Sequence, residues 1–177
     1  STEFLELDQL PKRIVLLGGG FIAAEFANIA AQAGAQVTVL EQMDRMLGPF
    51  DPDLVGWLMQ KFQEVGIDVR LRTRVTAIEK RNDGFSVIAS SNGKDERFEA
   101  DLVVHAAGRV PDLEPLDLSA AGVKSEKGRL ELNVFLQSVS NSHVYAVGDA
   151  ASSGPPLTPV SSHDAKVAAA NMLDGNH

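Results

Sequence analysis

The sequence contains no cysteine. That excludes disulfides, thiolate metal sites and a thiol nucleophile. Histidine is scarce, with four in all, at positions 105, 143, 163 and 177. None pairs with another at the i, i+4 spacing of a helical metal site, so no metal is expected. Long hydrophobic runs are missing too: nothing approaches the ~18 apolar residues of a membrane span. The start, Ser1-Thr2-Glu3-Phe4, lacks the basic and apolar segments of a secretory signal, and a cytoplasmic protein is expected. Basic residues are outnumbered, 16 against 24 acidic, for a net charge of -8. Nucleic acid is thereby disfavoured as a partner, because its phosphates need a basic surface. Methionine is also absent from position 1, and the chain reads as part of something longer. What remains is ordinary: 177 residues, 44% hydrophobic and 23% charged, enough for one domain or one domain and part of another.

After a polar lead-in to Pro11, Ile14-Val15-Leu16-Leu17 forms a short apolar run bounded by Gly18-Gly19-Gly20. A run of that kind is a buried parallel strand. From Phe21 the apolar residues Ile22, Phe26, Ile29, Ala30 and Ala33 recur at helical spacing, and Gly34 supplies a stop. Val37 to Leu40 is a second strand, ending at Glu41. Strand, glycine turn, helix and strand make a βαβ unit. Asp51-Pro52-Asp53 opens another helix, with Asp51 as cap. Leu54, Trp57, Leu58, Phe62 and Val65 are its expected apolar face, with Trp57 in the core. Ile67 to Leu71 is a third strand.

Three β segments follow, at 75–79, 85–88 and 97–99, separated by Asn82-Asp83-Gly84 and Asn92-Gly93, both hairpin signals. Asp95-Glu96 is expected in a solvated turn. The meander takes the place of a crossover helix, so that Leu102 to His105 rejoins the parallel sheet. Gly108 to Asp112 is a boundary. Beyond it, Arg129 to Val134 is weakly β, and Val144 to Val147 is a strand ending at Gly148-Asp149. Gly154-Pro155-Pro156 is a loop, and Pro159 to Leu173 a helix with Thr158 as cap.

Three constellations carry chemistry. Gly18-x-Gly20-x-x-Ala23 follows a strand and opens a helix, the context that a dinucleotide turn requires. Gly18 permits the tight turn, Gly20 lets a pyrophosphate approach the backbone, and Ala23 allows close helix–strand packing. Free N–H groups near Phe21 and Ile22 would face the phosphates at the positive end of the helix. Glu41 stands about twenty residues on, where a carboxylate can hold both adenosine ribose hydroxyls and repel a 2′-phosphate. Gln42 follows it, which favours NAD(H) over NADP(H), although Arg45 nearby and Ala23 in the third glycine's place leave NADP(H) open. Asp149 after the strand at 144–147 sets a carboxylate at the end of a sheet, where open α/β folds bind nucleotides; a plain strand-to-loop turn is the alternative.

These features, in this order, resemble the FAD- and pyridine-nucleotide-dependent disulfide oxidoreductases, the family of glutathione reductase, dihydrolipoamide dehydrogenase and mercuric reductase. The markers are Gly18 to Glu25, Glu41 with Asp44-Arg45, Ala107 to Pro111, Val144 to Asp149, and Leu157-Thr158-Pro159. The resemblance implies an α/β fold, a Rossmann-like parallel sheet with a β-meander crossover. It implies an NAD(P)-binding domain over residues 1–110 and the C-terminal half of a FAD-binding domain over 111–177. Gly18, Gly20 and Ile22 would contact the pyrophosphate, Glu41 the ribose, and Val75 the adenine surroundings. Phe21 would shield the flavin, and Glu25 would support the flavin–nicotinamide contact. Gly108 and Arg109 would lie along the dinucleotide. Asp149 would meet the flavin ribityl chain, and Leu157 and Thr158 its ring system.

The family's first FAD-binding glycine motif, redox cysteine pair and dimerisation segment have no counterpart in this sequence, so no catalytic residue is expected here. The implied function is the NADH-binding portion of a flavin-dependent oxidoreductase, homodimeric as a whole, whose own FAD-binding and dimerisation segments would be its partners. The alternative is a dinucleotide-binding module without turnover. A short-chain dehydrogenase fails on residues: Tyr145 is the only tyrosine, and four positions on stands Asp149 instead of a catalytic lysine. A methyltransferase could share the glycine turn and Glu41 but leaves Gly148-Asp149 unexplained.

Overall fold

A computed structural model of the chain describes residues 2–151, 154 and 156–176. His177 and Pro155, the latter in the loop expected at 154–156, lie outside the described residues. The chain divides into two compact units, Ser1–Gly108 and Arg109–His177.

The first unit is built on a four-stranded parallel sheet. Its strands are β1 (Arg13–Leu17), β2 (Gln36–Leu40), β3 (Asp68–Arg70) and β7 (Leu102–His105), in the order β3-β2-β1-β7. The alternation of β1 explains why four consecutive residues are apolar. Ile14 and Leu16 enter one buried cluster with Ala23, Phe26, Ala27 and Ala30 of α2 (Phe21–Gln32) and Val55 and Phe62 of α3 (Pro52–Glu64). Val15 and Leu17 enter a second cluster with Leu40, Val87, Ala89 and Ala100. A central strand buried on both faces needs such a continuous run.

The second cluster is covered by the antiparallel meander β4 (Thr73–Arg81), β5 (Gly84–Ser91) and β6 (Lys94–Ala100). It stands between β3 and β7 in sequence and so replaces the crossover helix. Asn92 and Gly93 both take positive φ, 51° and 75°, as a two-residue hairpin turn demands. Asp95 and Glu96 lie exposed on β6 rather than in a turn. Where β6 passes into β7, the Asp101 carboxylate accepts from the Arg13 backbone N–H at 2.8 Å and from its Nε at 3.0 Å. The side-chain hydrogen bond is the chief reason that Asp101 titrates below the ordinary carboxylate range and Arg13 above its own.

Other expectations also need correction. The polar lead-in contains a short helix, α1 (Thr2–Leu5), docked by stacking of Phe4 on Phe26 with ring centroids 4.3 Å apart. Trp57 is 66% exposed and Leu54 is exposed as well. The buried stripe of α3 instead runs through Val55 and Phe62, with Leu58, Met59 and Val65 half-buried. Asp51 caps α3 as expected, accepting from the backbone N–H groups of Asp53 and Leu54 at 2.9 and 3.1 Å.

The second unit carries little regular structure before its helix. β8 (Ser125–Glu126) and β9 (Arg129–Leu130) form a two-residue-deep hairpin. Val144 to Val147 is not a strand: Tyr145 makes a single antiparallel bridge to Gln137, and the backbone then enters a 3-10 turn at Gly148–Ala150. Apolar residues alone do not make a strand; adjacent backbone must extend the ladder. Side chains do the joining instead. Gln137 Nε2 donates to the Tyr145 hydroxyl at 3.0 Å, the hydroxyl donates to Asn176 Oδ1 at 2.9 Å, and Asn176 Nδ2 donates to Gln137 Oε1 at 2.9 Å. The final helix, α4, spans Thr158–Asp174, with Leu157 at the N-cap position and no side-chain cap. Thr158 is therefore inside the first turn rather than the cap; Pro159 next to it suits that turn because its missing N–H needs no partner there.

Candidate dinucleotide site

The first unit gathers its candidate residues at the carboxyl ends of β1 and β2. Three successive glycines leave β1, and each lacks a side chain for a different reason. Gly18 has φ +101°, and a Cβ there would stand 2.6 Å from the Ala107 Cα. It is fixed by the close approach of the segment after β7, whose Ala106 N–H donates to the Leu17 carbonyl at 2.8 Å. A Cβ on Gly19 would stand 2.7 Å from Glu41 Oε2 and 3.0 Å from Met46 Cγ. A Cβ on Gly20 would meet nothing within 4 Å. Open space over Gly20, at the N-cap of α2 with no side-chain cap, is what a phosphate approaching the backbone requires. Phe21 is 46% exposed and Ile22 half-buried, so the first turn of α2 presents its unpaired N–H groups there. Ala23 is fully buried against β1.

Glu41 is only 9% exposed. Its Oε2 accepts from the Gly19 backbone N–H, and its Oε1 accepts from the Met43 N–H at 2.7 Å. Each carboxylate oxygen has a second lone pair, so acceptor capacity remains for two ribose hydroxyls. The residues present thus fit the adenosine end and the pyrophosphate of a dinucleotide. Beyond Glu41, the segment 42–50 folds back on the turn. The Leu47 N–H donates to the Gly19 carbonyl at 2.8 Å, and Met46 is buried. Arg45 extends its guanidinium to the Gly48 carbonyl within the same segment. Val75 is half-buried beside Leu40 in the meander-side cluster. The Thr73 N–H donates to the Glu41 carbonyl at 2.9 Å, which ties β4 to the end of β2. Glu25 is exposed on α2, and Gly108 is exposed with φ +115° at the end of the unit.

Sequence reasoning misses the roles of Gly19, Met46 and Leu47. The one available signal is the extra glycine between the two motif glycines. In the second unit, Arg109 is exposed at the first position. Asp149 is exposed in the 3-10 turn, and Leu157 and Thr158 are exposed at the start of α4. Among the described residues no cluster of potential metal ligands occurs, and no helix is long and apolar enough to cross a membrane.

The pyridine nucleotide-disulphide oxidoreductase family profile matches residues 1–165. The chain belongs to that family. Over 174 residues it is 33% identical to mercuric reductase from Staphylococcus aureus, covering 98% of this chain and 31% of the relative. Over 176 residues it is 33% identical to dihydrolipoyl dehydrogenase from the same organism, covering 99% of this chain and 37% of that one. Among solved structures it is similar to the HOCl-induced flavoprotein disulfide reductase RclA from Escherichia coli. The TM-score is 0.85 and the identity 26%, over 98% of this chain and 38% of that one. The chain therefore spans about a third of the length of the curated relatives it matches. Members of that family are flavoproteins that bind a nicotinamide dinucleotide and FAD, and the parallel α/β sheet expected from the sequence is the fold found.

Proposed function

We propose that this chain is the NAD(H)-binding portion of a flavin-dependent oxidoreductase that passes hydride from NADH to FAD and on to a disulfide-type acceptor. The observation that carries the reading is the pairing of an open Gly20 at the start of α2 with the Glu41 carboxylate held on the adjoining Gly19 amide. The two bound cofactors supply the hydride chemistry; the chain's residues bind and orient. Gly20 and the amides of Phe21 and Ile22 receive the pyrophosphate, with Gly18 setting the turn. Glu41 takes the adenosine ribose, and Val75 borders the adenine. Gly108 and Arg109 lie along the dinucleotide. Phe21 and Glu25 support the nicotinamide–flavin contact. Residues 1–110 are the NAD(P)-binding domain and 111–177 half of a FAD-binding domain. In that half Asp149 accepts from the ribityl chain, and Leu157 and Thr158 approach the flavin ring. The whole protein acts as a cytoplasmic homodimer. The 177 residues alone bind dinucleotide without turnover, a reading favoured by the absence of cysteine from the sequence.

NADH is preferred over NADPH. A carboxylate facing a 2′-phosphate in a partly desolvated site costs on the order of a few kcal/mol, and Arg45 is engaged with the Gly48 carbonyl. Calorimetric titration with both nucleotides should give NADH the tighter binding by about tenfold or more. Tighter NADPH would overturn the assignment of Glu41 and make Arg45 a phosphate clamp.

A further inference from the structure

Glu41 is held from more than one side. It is almost wholly buried, and both its oxygens are engaged by backbone amides from two different segments, Gly19 in the glycine turn and Met43 in the segment that follows β2. The same two segments are joined a second time, by the Leu47 N–H on the Gly19 carbonyl at 2.8 Å. Gly19 thus has both its backbone polar groups committed, one to Glu41 and one to Leu47. Around the other side, Thr73 N–H donates to the Glu41 carbonyl and Arg72 N–H to the Met43 carbonyl, at 2.9 and 2.8 Å. Through its carboxylate and its backbone carbonyl together, Glu41 joins the turn, the 42–48 segment and the start of β4. Packing enforces it: a methyl on Gly19 would fall 2.7 Å from Oε2 and 2.9 Å from Cγ of Glu41.

Resting on the proposed dinucleotide reading, we propose that Glu41 is also a positioning residue for the phosphate-binding turn. By holding the Gly19 amide, it fixes the middle peptide of the turn before any nucleotide arrives. The free amides at the start of α2 are then preorganised, and less ordering is left to be done on binding. An amide held by a charged acceptor in a buried place is a strong restraint, because losing it leaves the donor unsatisfied. Gly19 is the counterpart: it is glycine because the carboxylate must lie against it. On this account Glu41 contributes to the affinity of ligands that have no ribose hydroxyls to offer.

The test separates the two roles. ADP and 2′,3′-dideoxy-ADP are titrated calorimetrically into the chain and its variants Glu41→Ala, Glu41→Gln, Gly19→Ala and the Gly19→Ala/Glu41→Ala pair, all checked for folding by melting curves. The dideoxy compound keeps the diphosphate and lacks both hydroxyls. Glu41→Ala should weaken dideoxy-ADP by about fivefold or more, and Glu41→Gln, whose NH2 replaces one of the two accepting oxygens and leaves an acceptor facing only one of the two amides, should fall between. Gly19→Ala should cost a similar factor, and the double variant should be no worse than the worse single one, since both break one contact. Amide exchange read by NMR, which needs no ligand, should quicken at Gly19 and Leu47 in Glu41→Ala while the β1 amides stay protected. Unchanged dideoxy-ADP affinity beside a large loss for ADP would confine Glu41 to the ribose and overturn the proposal. Fully additive effects, or unchanged exchange at Gly19, would do the same. If the unaltered chain binds neither compound, the dinucleotide reading itself fails, and the positioning role falls with it.

Discussion

Gly18 and Gly20 stand two residues apart and are glycines for opposite reasons. At Gly18 the backbone of Ala107 blocks a side chain, and φ is in the region that L residues avoid. At Gly20 nothing blocks it and φ is -80°. Gly20→Val should therefore fold, with a loss on the order of 1 kcal/mol for a branched residue at the N-cap, yet bind no dinucleotide, because the isopropyl group fills the phosphate's approach. A melting curve paired with an NADH titration checks this; retained affinity in a folded variant would put the phosphates elsewhere. Both motif glycines were legible in the sequence, whereas the reason for Gly19 depended on Glu41 and Met46, residues brought to it only by the fold. Asp101 is the other residue with a measurable signature. Arg13 lowers its pKa in the folded chain. Such a carboxylate stabilises the fold at pH above its unfolded value, and that contribution disappears as pH falls through the folded one. The melting-temperature advantage of the unaltered chain over Asp101→Asn should thus be constant from about pH 7 to 5 and shrink toward about pH 3. An advantage that grew on acidification would contradict the pairing.

Among the elements, α3 shows best what periodicity can and cannot decide. Residues 54, 57, 58, 62 and 65 fit a helical stripe, and so do 55, 58, 59, 62 and 65. They share 58, 62 and 65, and at about 100° per residue their centres differ by roughly 60° of rotation. The large apolar side chains Leu54 and Trp57 argue for the first. Asp53 and Lys61, which share that face, argue for solvent, and solvent is what the face meets. The start of the helix is clearer, because capping is a local interaction between residues adjacent in sequence. Asp51→Ala should cost about 1 kcal/mol by removing the acceptor for two backbone amides. Urea denaturation monitored by circular dichroism would measure it, and a loss below about 0.3 kcal/mol would show that water replaces the cap. The parallel strands were legible because β1 and β2 bury side chains on both faces. The stretch 144–147 carries the same apolar signature without a ladder. Strand formation depends on neighbours that composition does not reveal.

At the scale of the whole molecule, the two units differ in how their backbone is satisfied. Ser1–Gly108 holds a four-stranded sheet and a three-stranded meander, with two buried clusters on opposite faces of the central strands. Among its described residues, Arg109–His177 holds one hairpin two residues deep, a set of turns and α4, a helix whose buried side chains are Ala168 and Asn171. Val110, Val134 and Leu173 are each more than 80% exposed in it. Cooperative protection needs ladders and buried apolar contacts. Hydrogen exchange should accordingly show its slowest amides in 13–17, 36–40 and 102–105, with the amides of 109–176 exchanging about tenfold faster or more. The exposed apolar side chains of the second unit add a second expectation, because such surface favours association. Sedimentation at two concentrations should show weak self-association that increases with concentration. Association costs are of the same order as the burial it gains, so only a modest equilibrium results. The polar ring of Gln137, Tyr145 and Asn176 opposes this outcome by pinning the end of α4 to the turns. Tyr145→Phe should then speed exchange within 109–176 and leave 13–17 unchanged. Equal protection in both units, with one monomeric species throughout, would mean that Arg109–His177 is stable on its own contacts.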